Sequence, residues 1–198
     1  MIDRELRSHA AEFRRAMDTN KYEVSEQGIY FPAAKVFVQG VYTHDVNGAD
    51  ERVDSNLVVD EGLTHVLDVV LKGGTQITTW YHALYAANYT PLNSLTAASF
   101  PATATEITSG TEGYTEATRR TWVGGSISGN AVDNTASKAA FTIATASSLA
   151  VNGAAVLSVN TKGSTSGKLL SAVKFSATRT LYDTDVFNLS YRLALTSA

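Results

Sequence analysis

Four histidines, His9, His44, His65 and His82, are the residues best suited to moving protons or binding a transition metal near neutral pH. None has a second histidine at the spacing a metal pair needs, so each reads as structural. Among the carboxylates, Asp45-Val46-Asn47-Gly48-Ala49-Asp50 superficially follows a calcium loop. Its Asp, Asn and Gly spacing is broken and no closing Glu follows, so a hairpin turn explains it better. Asp183 and Asp185 could form a hydrolytic pair. They stand just before an alternating stretch, however, and read as charged turn residues guarding the start of a strand.

Gly163-Ser164-Thr165-Ser166-Gly167-Lys168 is the nearest approach to a phosphate loop. It is too short between its glycines, has no Ser or Thr after the lysine, and leads into a strand. No Gly-x-Ser-x-Gly elbow stands between a strand and a helix. Trp80, Tyr81, Tyr85 and Tyr89 could stack on sugar rings, but they are interleaved with apolar residues and read as core. Asn88-Tyr89-Thr90 matches a glycosylation acceptor, which matters only in a secreted chain. The chain has no cysteine, which excludes disulfides, thiolate metal sites and a Cys nucleophile. The expectation is a non-enzymatic protein with no catalytic residue, no cofactor and no metal.

The 198 residues suffice to bury a core without staples. Charged residues make up 18%, and the surface must instead be covered by Ser, Thr, Asn, Gly and Ala. Such a neutral surface suits packing against other subunits, and it also occurs on secreted β domains. The net charge is -3, and Arg4, Arg7, Arg14 and Arg15 are interleaved with Asp3, Glu5 and Glu12. That pattern describes a solvated helix face, so no direct nucleic-acid partner is expected. Residues 1–17 are charged throughout, without the apolar run of a secretory leader, and the longest apolar runs are too short to span a bilayer. No membrane role is expected.

Leu6, Ala10, Phe13 and Met17 form one narrow apolar stripe on a helix over residues 1–21. So thin a stripe needs something to dock on. Pattern and turn residues then predict an arm over 1–28 and an all-β domain over 29–198, a β-sandwich or jelly roll. Strand formers Val36 to Tyr42 lead to the Asn47-Gly48 turn, and a returning strand follows over 52–59. A helix is predicted over 60–72, where Leu63, Val66, Leu67, Val70 and Leu71 keep helical period and Gly73-Gly74 ends it. Further strands are expected over Ile77–Ala86, Thr121–Ile127, Lys138–Ala144, Ala154–Val159 and Lys168–Ser176. The last strand alternates Phe187, Leu189, Tyr191, Leu193 and Leu195 with polar residues. Residues 87–118 are rich in Asn, Thr, Ser, Pro and Gly and read as one long loop, a feature that is usually functional or ordered by a partner.

Several pieces of the chain resemble a family of tailed-phage virion proteins. They are Asn56-Leu57-Val58-Val59-Asp60-Glu61-Gly62-Leu63, Trp80 to Tyr85, Asn88-Tyr89-Thr90-Pro91, Arg120-Thr121-Trp122, Lys138 to Ile143, Lys162 to Leu170, and Tyr191-Arg192-Leu193. Within such proteins the functional analogy is to the capsid cement or decoration proteins of short-tailed phages. The resemblance implies a homo-oligomer that binds the major capsid protein across capsid subunits. It implies a place in the virion, assembled in the host cytoplasm. A neck or tail component and a carbohydrate-binding β-sandwich are the alternatives. The residues expected at an interface are Leu6, Ala10, Phe13 and Met17 of the arm, and Tyr89, Pro91, Phe100 and Tyr114 of the long loop.

Overall fold

Asn47 and Gly48 both take positive φ, 53° and 76°, the backbone a tight hairpin demands. They join β3 (Val36–Val46) to β4 (Ala49–Ser55), with Tyr42 opposite Asp54 and His44 opposite Arg52. The computed structural model describes residues 22–24, 30–32 and 36–197. The chain divides into two compact units, residues 1–38 with 195–198, and residues 39–194. In the first, β1 (Tyr22–Val24) pairs antiparallel with β2 (Tyr30–Pro32). The helix expected over 1–21, with Leu6, Ala10, Phe13 and Met17, lies outside the described residues.

The second unit is mostly β, with two sheets sharing a core. One sheet runs β4-β3-β13-β10-β7, where β13 is Val186–Ser197, β10 is Ala139–Ala144 and β7 is Gly113–Tyr114. The short β9 (Ala131–Asp133) pairs with the far half of β13. The other sheet runs β5-β12-β11-β6-β8. Its strands are β5 (Leu57–Val58), β12 (Leu169–Leu181), β11 (Leu149–Leu157), β6 (Trp80–Tyr85) and β8 (Arg120–Trp122). Between the sheets, Tyr42, Phe141, Phe187, Leu189 and Tyr191 pack with Leu84, Val156, Val173 and Phe175.

The second sheet is buried on its other face too. Ala83, Tyr85, Ala155, Leu157, Leu169 and Ala172 pack there under Leu95, Ala97, Phe100 and Ala104. Burial on both faces explains the unbroken apolar run Ala154 to Leu157, where a half-wet strand would alternate. Residues 87–118 are therefore not one open loop. They hold a short helix, α2 (Phe100–Ala104), with Pro101 in its first turn, and they contribute β7. The apolar side chains dispersed in this polar stretch roof the sheet.

Other boundaries also differ from expectation. Residues 73–79 carry no regular structure, so β6 begins at Trp80. β8 ends at Trp122, and Val123 and Ile127 beyond it are exposed. β12 continues to Leu181, five residues past the expected Ser176 end. Leu169 does not share a face with Val173 and Phe175. Leu157 pairs with Leu169 and Val156 with Ser171, so Leu170 is an extra residue that turns the strand over.

His82 lies in the main core near Tyr42, fully buried, and neither ring nitrogen has a protein partner. Burial pushes its pKa from 6.5 down to about 3, so the ring is neutral in the fold. His44 is also lowered, by burial first and by Arg179 beside it, against the opposing pull of Asp54. In the window between about 3 and 6.5 the unfolded chain binds more protons than the fold. Stability is thus present above pH 6.5 and drains as pH falls, by up to roughly 1.4 kcal/mol per unit from His82, and His44 acts in the same direction. Urea denaturation from pH 7 to pH 5 should show this slope. His82→Leu should flatten it in part and raise stability at pH 7 by about 1–2 kcal/mol, because a stranded donor is removed. An unchanged slope would show that His82 does not stay neutral in the fold.

Candidate interaction surface

Buried polar groups can mark active sites, and this fold buries two sets of them. His44, on β3, is fully buried and stacks on Phe175 at 4.0 Å. Its Nε2–H donates to Asp54 Oδ2 at 2.9 Å, and Arg179 Nε donates to its Nδ1 at 2.9 Å. Those two bonds fix the neutral tautomer. Burial alone would raise the Asp54 carboxyl, but bonds from His44 and the Ser176 N–H hold it below its ordinary range. Arg179 also donates to the His44 carbonyl at 3.1 Å and the Asp50 carbonyl at 2.6 Å. Both histidine nitrogens are occupied, so the ring has no lone pair to offer a substrate. This triad-like set is a clasp between sheets.

A second buried set closes on itself in the same way. Arg119 donates to both oxygens of Glu106, at 2.8 and 2.7 Å, and both side chains are fully buried. The guanidinium also donates to the carbonyls of Val159 and Ser164, while the Gly163 N–H donates to Glu106. The loop that resembled a phosphate cradle is therefore filled by the protein's own arginine. Beside it, Lys162 donates to the Tyr114 carbonyl at 2.9 Å and lies 3.5 Å from the Tyr114 ring centre. Burial holds Lys162 below the ordinary lysine range.

The remaining sequence candidates also have hydrogen-bond or packing partners within the fold. Asp45 accepts from the Gly48 N–H, Asn188 and Lys138, as a turn residue does. Asp185 accepts from Asn47 and the Tyr182 N–H, and Asp183 from the Thr145 N–H. Tyr85 is buried, with its hydroxyl 2.8 Å from the Val173 carbonyl and 3.0 Å from that of Tyr89. It lies across Gly153, where a Cβ would collide with the tyrosine ring, so only glycine admits this packing. Trp80 and Tyr81 are half-buried, and His65 packs against the edge of Trp80. Of the expected interface residues, Tyr89 and Pro91 are half-buried. Phe100 and Tyr114, expected at a surface, have their side chains fully buried in the cores, where apolar area is removed from water. Among the described residues no three His, Asp or Glu side chains gather where they could share a metal ion. No helix of the described residues is long and apolar enough to cross a membrane.

The surface that does stand out is α1 (Asp60–Lys72). Its only buried residue is Gly62. A Cβ there would collide with the Leu170 carbonyl oxygen, so the helix meets β12 backbone to backbone. Glu61 pins the same end: one carboxylate oxygen accepts from the N–H groups of Ala97 and Leu169, each at 2.8 Å. Docked by its first turn, α1 leaves Leu67, Val70 and Leu71 outward, 57%, 71% and 74% exposed. Leu63, Val66, Leu67, Val70 and Leu71, the residues with helical period, are all half-buried or exposed. The glycine inside the helical pattern was the signal for the packed face. An open groove of about 470 Å³ runs alongside, between α1 and residues 93–96, with Lys168 at its edge. Leu92 next to it is 61% exposed.

The Glu106–Arg119 pair can be tested by substitution. Arg119→Met would strand the Glu106 carboxylate and should cost about 3–5 kcal/mol in chemical denaturation. The joint change Glu106→Leu with Arg119→Met should cost less than the single change. Equal losses would mean that the arginine's carbonyl bonds, and not the ion pair, hold the loops. No protein-family model matches the chain, and no curated protein matches it either.

Proposed function

We propose that the chain is a non-enzymatic structural protein of a tailed-phage virion, a β-sandwich or jelly-roll module that decorates the capsid and binds across its subunits. The observation that carries this reading is the division of labour among its residues. Buried polar groups are spent on each other, in the His44–Asp54–Arg179 and Glu106–Arg119 sets. Apolar residues of α1 are turned to solvent. A protein so arranged offers surface and not chemistry. The sequence resemblance points the same way, and the charge-poor composition suits close packing.

A decoration protein stabilises a shell by binding the assembled form preferentially. Repetition over the lattice makes weak single contacts sufficient. The proposed contacts are the stripe Leu6, Ala10, Phe13 and Met17, together with the outward residues around Leu92 and α1. The buried state of Tyr85 and the half-burial of Trp80 and Tyr81 weigh against a sugar-stacking platform.

Cosedimentation with capsids that lack the chain tests this reading. The full chain should pellet with the particles. Removing residues 1–20 should reduce the bound fraction severalfold while leaving the far-UV spectrum of the β domain in place. Equal binding of the shortened chain would contradict the role of the arm, and no binding of the full chain would contradict decoration.

A further inference from the structure

We infer that the outward face of α1 is a self-association surface, on which a second copy of this chain packs its own α1 antiparallel. Leu63, Leu67, Val70 and Leu71 recur at helical spacing and form one stripe along the helix. Three of the four are more than half exposed. Leu63, nearest the docked end, is half-buried. A helix held to its domain by Gly62 and Glu61 shows the stripe in a fixed orientation, which lowers the entropy lost on pairing.

Charge selects the occupant. Asp60 and Glu61 stand in the first turn and Lys72 in the last. In a parallel pair, like charges and like dipole ends would meet. In an antiparallel pair, each Lys72 comes within a turn of the partner copy's Asp60, and the helix dipoles oppose. The stripe is also self-complementary about its middle. With Leu67 on the two-fold axis, Leu63 of one copy faces Leu71 of the other. That is the isologous arrangement a symmetric dimer requires. Two helices of 13 residues make a small interface. The pair should therefore form and dissociate with concentration, and gain from any lattice that holds copies side by side. Such pairing does not depend on the virion reading.

The chain has no cysteine, so single cysteines report the geometry directly. Leu67→Cys, at the axis, should give a covalent dimer on mild oxidation. Leu71→Cys should crosslink at least severalfold more slowly, because antiparallel packing separates it from its counterpart by about 12 Å along the axis. Lys72→Glu added to Leu67→Cys should slow crosslinking severalfold, with circular dichroism unchanged. Sedimentation velocity of the unmodified full chain should show a monomer–dimer shift that Leu67→Glu abolishes. Equal rates for the two cysteine variants would overturn the antiparallel pair. A monomer at every concentration would overturn self-association. So would failure of a maleimide to reach the new thiol of the Leu67→Cys monomer, since the chain's own residues would then cover the stripe.

Discussion

Arg179 reaches from β12 to donate to both the ring and the carbonyl of His44 on β3, and the rest of the fold is organised around that reach. Apolar burial drives two sheets together but does not fix how they slide or turn on each other. Directional bonds do. Besides the arginine, the Tyr42 hydroxyl meets Ser171 at 2.7 Å, the Ser176 N–H donates to Asp54, and Trp122 donates to the Tyr191 carbonyl. Each of these bonds joins a residue of one sheet to a residue of the other. A misplaced sheet would strand several buried polar groups at once, each costing more than the bond itself contributes. The bulge opposite Val151 to Gly153 allows this, because it bends β12 between Lys174 and Arg179.

The same economy explains why a set resembling a catalytic triad is not arranged as one. A working base needs a nitrogen facing the substrate. His44 has one nitrogen donating and one accepting, and the ring is sealed under Phe175. His82 is buried without a protein partner, a cost the fold bears for packing volume beside Tyr42. Both neutral histidines tie the fold to near-neutral or alkaline conditions, since each resists the proton the unfolded chain accepts.

Local patterns made part of this legible in the sequence. The Asn47-Gly48 turn, the limits of α1 and the alternation of Phe187, Leu189 and Tyr191 depend on neighbours within a few residues, and the structure has them. What was hidden depends on residues far apart. Leu170 looks like any strand residue, and only its partner strand reveals it as the extra one. Residues 87–118 read as loop because Leu95, Ala97, Phe100 and Ala104 are too dispersed to show a period, yet together they roof a sheet. The pairing of Glu106 with Arg119 has no spacing rule at all. In α1, the helix is legible from its period, but its docked face is not marked by the periodic apolar residues. Its apolar residues outnumber the single glycine, and Gly62 wins because close backbone approach to Leu170 and the two bonds to Glu61 decide the docking.

If this chain is a repeated structural part, its copy number in purified virus particles is the most direct test. Quantitative mass spectrometry against the major capsid protein would give the ratio. Decoration predicts copies comparable in number with the capsid protein. A handful of copies per particle would contradict decoration and place the chain at the neck or tail, and its absence from particles would contradict a virion role altogether.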